Sequence, residues 1–276
     1  MTVRKSRKHV WWGSFSLPEN RSGRWRIGPA VFWIERLKHE WQVACLAGDE
    51  PAECEVELTI PIPKLEKYSV EATVTRFGMG ETDSKVILSP ALADRPVVIR
   101  PDTPIYILPN RDITLYVSSP LWMRIETGDP LVVLQDIPVF RPSDTWFGPS
   151  AMEGELCYAN RIYGRLRIED INFRPHRAVT VVLLRNRSNK SILLERLNLP
   201  VPNLSLYQAE NGYLWTQPVT LEMMADNKVA LELKEVAPAG AKNPQLISGP
   251  RQKAGKTILS RTLNYLISSK GGYGND

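Results

Sequence analysis

The sequence predicts an all-β protein of two antiparallel β-sandwich-like domains with a short C-terminal helix. Three observations carry this. Between Ala178 and Leu221, short apolar runs are separated by turn residues. Between Lys85 and Phe140, eight prolines divide five short runs rich in Val, Ile and Leu. No stretch there has the roughly 10–15-residue helical pattern that a βαβ architecture needs.

The elements follow in chain order. Trp11 to Leu17 is an expected strand, and Trp25 to Arg36 with Trp41 to Leu46 an expected pair. Cys54, Val56, Leu58 and Ile60 interleave with Glu55, Glu57 and Thr59, which reads as a strand with one wet face. Tyr68 to Thr75 repeats the pattern, with Val70, Ala72 and Val74 expected inward. Pro61 and Pro63 lack a ladder donor and belong at an edge or corner. Val97–Ile99, Ile105–Ile107, 113–117, 121–125 and 131–134 are the short strands between the prolines. A crowd of Pro, Ser, Asp and Gly from Arg141 to Gly154 reads as a boundary. The expected division is a basic tail over 1–10, a first domain over 11–145 and a second over 150–236.

In the second domain, 178–184 reads as a strand covered on both faces, and 192–199 resumes after the Asn186-Arg187-Ser188-Asn189 turn. Leu204 to Gln208 and Tyr213 to Thr216 flank Asn211-Gly212, the strongest short-range hairpin signal, because both residues tolerate positive φ. A β-meander is therefore expected, with a late pair, 219–223 and 229–233, turned at Asp226-Asn227. Residues 237–257 read as a flexible linker. Ile258, Leu259, Thr262, Leu263, Leu266 and Ile267 form a stripe of helical period, which predicts an amphipathic helix over 258–268.

The 276-residue chain is 43% hydrophobic and can bury a sizeable core. Its overall charge of +5 is unevenly placed. Residues 1–10 carry +4 and the stretch after Val236 carries +5, which leaves −4 on the body. A weakly acidic body is not one whose own surface grips nucleic acid; only the ends could meet a polyanion. No apolar run reaches the roughly 18 residues of a membrane span, and Val10 to Ser14 is too short and polar for a signal core. A cytoplasmic protein is expected. Cys45, Cys54 and Cys157 are a poor disulfide framework.

Few residues point to chemistry. Five of the eight tryptophans, Trp11, Trp12, Trp25, Trp33 and Trp41, cluster before residue 42. They could form a stacking platform for sugars or bases, against the plainer reading that they fill a core. Arg185, Arg187 and Lys190 are the one basic cluster inside the acidic body, a contact for an acidic partner or a solvated hairpin tip. His9, His39 and His176 lack metal-ligand spacing, and no Cys-x-x-Cys or Gly-x-Ser-x-Gly occurs. Cys157 would need a base brought from afar and reads as a small buried strand residue. Gly249 to Thr257 approaches a phosphate loop, but five residues separate its glycines where four are required, and Pro250 removes a donor. No catalytic, cofactor or metal site is expected.

Several segments together resemble domain-of-unknown-function family 432: Trp12-Gly13, Tyr116-Val117-Ser118-Ser119-Pro120-Leu121-Trp122, Arg185-Asn186-Arg187-Ser188 and the run Leu199 to Tyr207. The resemblance covers most of 10–235. It implies a prokaryotic, β-rich cytoplasmic protein, an accessory to a membrane system among its roles, and brings no catalytic residues. The function expected is non-catalytic protein–protein interaction with an unidentified partner, with the terminal helix as the candidate contact; the alternative is a carbohydrate- or other ligand-binding module using the early tryptophans. Nucleic-acid binding by the basic ends is a third class, with a steep salt dependence.

Overall fold

The structure, a computed structural model, describes residues 10–49, 56–62, 69–160, 163–224, 228–234, 236–253, 259–262 and 267–268. Their regular structure is all strand apart from two three-residue 3-10 turns, Ile168–Asp170 and Val201–Asn203. The all-β expectation holds. The chain divides into two compact units, and the division differs from that expected. The first takes Met1–Ala91, Pro120–Arg141 and Arg174–His176; the second takes Leu92–Ser119, Pro142–Phe173 and Arg177–Asp276.

The first unit opens with β1 (Gly13–Ser16), β2 (Arg21–Ile27), β3 (Ala30–Arg36), β4 (Glu40–Leu46), β5 (Val56–Thr59), β6 (Thr73–Gly78) and β7 (Lys85–Ala91). Three strands then belong to the second unit: β8 (Val97–Ile99), β9 (Ile105–Ile107) and β10 (Arg111–Pro120), whose last residue returns to the first. The first unit resumes with β11 (Trp122–Thr127) and β12 (Val132–Pro138). Its strands form two sheets, ordered β1-β7-β11-β12 and β5-β2-β3-β4-β6. The stretch Arg21 to Arg36 is a hairpin turned at Gly28, whose φ of 53° suits glycine.

Both sheets point apolar side chains into one core, in the manner of a sandwich. Trp25, Ile27, Phe32, Ile34, Trp41 and Val43 come from one side; Val86, Leu88, Met123, Ile125, Leu134 and Ile137 come from the other. Val56, Leu58 and Ile60 pack against this core as their alternation predicts, while Cys54 lies outside the described residues. The outer face of β3 and β4 is apolar too, since Trp33 and Ala44 pack with Ile62 there. In β6 the inward phase is the reverse of that expected. Val70 and Val74 are exposed, and register places Thr73 opposite Cys45, Thr75 opposite Val43 and Phe77 opposite Trp41. Directly paired residues share a face, so Thr73, Thr75 and Phe77 face inward.

The second unit adds β13 (Ser143–Phe147), β14 (Glu155–Ala159), β15 (Arg177–Asn186), β16 (Ile192–Leu194), β17 (Arg196–Leu199), β18 (Leu206–Gln208), β19 (Leu214–Thr216), β20 (Val219–Met223), β21 (Lys228–Leu233), β22 (Gln245–Ser248), β23 (Leu259–Thr262) and β24 (Ile267–Ser268). The stretch expected to separate domains instead forms the β13–β14 hairpin. The Asn211-Gly212 hairpin forms as predicted, with Tyr207 opposite Trp215 and Gly212 at φ 87°.

The meander does not form. β16 pairs with β9, and β17 pairs with β8 and β24, so neither returns to β15. β15 pairs with β10 and runs parallel to β19 and β20, Ala178 opposite Leu214 and Leu184 opposite Leu221. β14 and β8 are parallel as well, so this unit is mixed rather than antiparallel. The C-terminal helix is also corrected: β23 pairs antiparallel with β21, and β24 with β17. The expected linker contains β22, which pairs with β18. The late pair β20–β21 is antiparallel, while its turn at Asp226-Asn227 falls outside the described residues. These departures share one cause. An isolated stripe can fit two periods, and pairing with a distant open strand decides between them.

Candidate ligand-binding cleft

The early tryptophans do not form a stacking platform. Trp11, Trp25 and Trp41 are fully buried and Trp33 nearly so; Trp12 is half-buried, with its ring edge-on to Trp11 at 5.5 Å between centroids. Trp11 donates its indole N–H to the Pro175 carbonyl at 2.8 Å. Trp11, Trp25 and Trp41 fill the sandwich core, Trp12 packs against it, and Trp33 packs on the outer face of β3 and β4 with Ala44 and Ile62, because a large apolar ring gains most by leaving water.

The basic cluster finds its acids within the chain. Arg187 forks onto both carboxylate oxygens of Asp112 at 2.7 and 3.1 Å, and hydrogen bonding to that carboxylate pushes its pKa up. Arg185 lies 3.7 Å from Asp112 and 3.8 Å from Glu222. Lys190 is exposed on the same turn. The turn is held from inside by buried Asn186, whose amide donates to the carbonyls of Ile107, Leu108 and Lys190. Its Oδ1 accepts from the backbone N–H and the hydroxyl of Ser188.

Of the described cysteines, Cys45 and Cys157, neither thiol is primed for attack. Burial, then the nearby Glu155 charge, pushes Cys157 up to about 12, and burial alone pushes Cys45 up to about 11. Both are neutral at pH 7. Among the described residues no group of three His, Cys, Asp or Glu side chains could hold a metal. No described helix is long and apolar enough to cross a membrane. At the near phosphate loop, Arg251 donates to the Leu92 carbonyl and Gln252 to that of Pro202. A strand, β23, follows there instead of the helix that would receive a phosphate.

What the structure does bring together is a cleft of about 370 Å³ in the first unit. It lies where the five-stranded sheet ends in β6 and the four-stranded sheet ends in β12. One wall is the inner face of β4 and β6, with Val43, Cys45, Thr73 and Thr75; the facing wall is Gln135 and Ile137 of β12. Leu46, Ala47 and Glu71 complete the lining.

Gln135 is placed by a bulge. Gln135 pairs with Ile125 and Val133 with Glu126, so Leu134 is an extra residue. A bulge of two residues against one re-aims the side chain beside it. Here Leu134 and Ile137 both reach the core, and Gln135 lines the cleft between them. Its Oε1 is buried without a hydrogen-bond partner among the described residues. Sequence reasoning named none of these residues as a site. Thr and Gln on strands carry no motif, and only pairing across β4, β6 and β12 assembles them.

A second hollow, of about 340 Å³, is lined by Asp102, Ile105, Leu115, Arg165, Leu166 and Asp170 among others. Asp102 and Arg165 pair there at 2.8 Å, so these two charges answer one another.

The segments that resemble a known family can now be placed. Ser118 accepts from the buried Arg177 guanidinium through both its hydroxyl (3.0 Å) and its carbonyl (2.6 Å). Arg185 to Ser188 is the turn just described, and Leu199 to Tyr207 holds the Val201–Asn203 turn, tied to Gln252. A model of a family described as protein of unknown function (DUF432) matches residues 11–268. The chain belongs to that DUF432 family. No curated protein and no solved structure matches it. In this DUF432 member the three later segments named above make structural hydrogen bonds, and none of them lines the cleft.

Proposed function

We propose that this DUF432 member is a non-catalytic binding protein that takes an extended segment of another protein along β12, with side chains entering the cleft. One observation carries the reading: two edge strands flank one groove. Among the described residues β12 pairs only with β11, and β6 only with β4. β12 also displays Leu131 just before it, at 54% exposure, then Val132 at 49% and Val133 at 50%. An edge strand with exposed aliphatics is a template for a further strand, and natural sheets usually blunt such an edge with charge or proline. The described residues of the terminal segment that first suggested a partner-binding helix are strands, and the buried tryptophans lend the carbohydrate alternative no surface.

The test is selection of a random peptide library on the full-length protein, with counter-selection on a Val132→Asp, Val133→Asp variant whose melting is checked. Peptides of alternating apolar residues should be enriched and should bind the wild type but not the variant. Absence of enrichment, or peptides that bind both proteins equally, would refute strand addition at this edge.

A further inference from the structure

The cleft's lining is chemically one-sided. Its floor is aliphatic, from Val43, Leu46, Ala47 and Ile137; its polar groups are Thr73, Thr75, Gln135 and the Cys45 thiol; among the described residues its one charged group is the acidic Glu71. Among the described residues no Lys, Arg or His lines it. The Gln135 Oε1 is an acceptor already taken out of water and left without a donor. Such an atom costs stability in the empty protein and repays it when a ligand supplies the donor. The bulge at Leu134 is what aims it, and bulges gather beside sites where a side chain must be redirected.

We infer that the cleft receives a basic side chain, lysine or arginine, from the bound segment. The aliphatic stem lies along Val43 and Ile137, and its N–H groups donate to Gln135 Oε1 and the Thr73 and Thr75 hydroxyls. Glu71 supplies the countercharge. A stem of three or four methylenes with a charged head matches an apolar floor with acceptors and a carboxylate. An acidic occupant would meet an acceptor and a carboxylate, with no cation among the described lining residues. This deepens, and rests on, the reading of β12 as the docking edge.

Two probes separate the claims. In amide-detected NMR on the full chain, n-butylammonium is titrated against n-butanol, which has the same stem and no charge. In parallel the blocked pentapeptide Thr-Val-Lys-Val-Thr is compared with its norleucine counterpart. The ammonium should shift the Thr73, Thr75 and Gln135 resonances more than the alcohol does. The lysine peptide should bind about tenfold tighter than the norleucine peptide, the scale of one hydrogen bond to a charged group. Gln135→Leu should shrink that ratio, and Glu71→Gln should remove its salt dependence. Equal shifts by alcohol and ammonium, or a ratio unchanged by Gln135→Leu, would overturn the basic occupant. If the ammonium binds at these residues and neither peptide does, strand addition at β12 fails while the basic cleft stands. If neither probe binds, both fail.

Discussion

Gln135 and the buried tryptophans show how little a residue's type says about its task. A tryptophan can stack on a ligand or fill a core, and only its neighbours decide. Trp41 is fully buried between the sheets, so Trp41→Ala should destabilise the protein by about 3–5 kcal/mol, the range for large aromatic truncations. Chemical denaturation measures this; a loss below about 1 kcal/mol would mean the indole is not a core group. Gln135 predicts the opposite sign. Replacing an unpartnered buried acceptor with an apolar group of similar volume removes a desolvation cost. Gln135→Leu should therefore raise stability by about 1 kcal/mol, or roughly 2–4 °C in Tm, while weakening the cleft's grip on a cation. A variant that is both less stable and unaltered in binding would argue that Gln135 only packs. The thiols give a pH dependence with a definite sign. Cys157 is raised from 9.0 to about 12 in the fold, so the unfolded chain releases its proton first. Its contribution is fully present below pH 9 and is lost as pH climbs towards 12. Cys157→Ala should flatten that alkaline decline in denaturation curves recorded across the window.

Among elements, local chemistry was readable and distant pairing was not. The Asn211-Gly212 hairpin and the proline-spaced strands formed where their residues indicated, because turn residues and alternation act over a few positions. The phase of β6 was misread because Val70, Ala72 and Val74 alternate as cleanly as Thr73, Thr75 and Phe77 do. Register with β4, some thirty residues earlier in the chain, selects the second set. The same holds for β23 and β24, whose stripe fits a helix until the edges of β21 and β17 claim it. The cleft was illegible for this reason too, since its residues come from three strands and a bulge. The Asn186 turn lies between these cases. Asn186-Arg187-Ser188-Asn189 read correctly as a turn, yet the side chain of Asn186 also reaches β9 to satisfy Ile107 and its neighbour Leu108. Asn186→Ala would strand several buried partners at once. A loss of about 2–4 kcal/mol is expected, since each stranded group costs about 1–3 kcal/mol and the losses overlap. Asn186→Asp should cost a comparable amount, because the donor to three carbonyls disappears. If either variant unfolded at the wild-type denaturant midpoint, the network would carry no stability.

At the scale of the whole molecule, the interleaving of the two units explains why a single boundary near residue 145 was the wrong kind of division. A cut there keeps all nine strands of the first unit but also keeps β8, β9 and β10, whose partners β14, β16, β17 and β15 come later in the chain. Val97, Ile99, Ile107, Leu115 and Val117, buried in the whole protein, would then face water. A fragment spanning 11–145 should aggregate. Register suggests the remedy. Ala91 stands directly opposite Trp122 in the β7–β11 pair, so residues 92–119 leave the sandwich and return to it at the same place. A loop of two to five residues can join such antiparallel neighbours. Replacing 92–119 by Gly-Asn-Gly in the 11–145 fragment should therefore give a soluble sandwich that unfolds cooperatively, followed by circular dichroism and tryptophan fluorescence. It should be less stable than the intact protein, because Pro175, the acceptor for Trp11, and His176, whose carbonyl receives the Leu121 N–H, are missing. It would still carry β4, β6 and β12 and hence the cleft, so butylammonium should bind it at the same residues. An insoluble product, or one without a cooperative transition, would mean that the sandwich needs the second unit in order to fold.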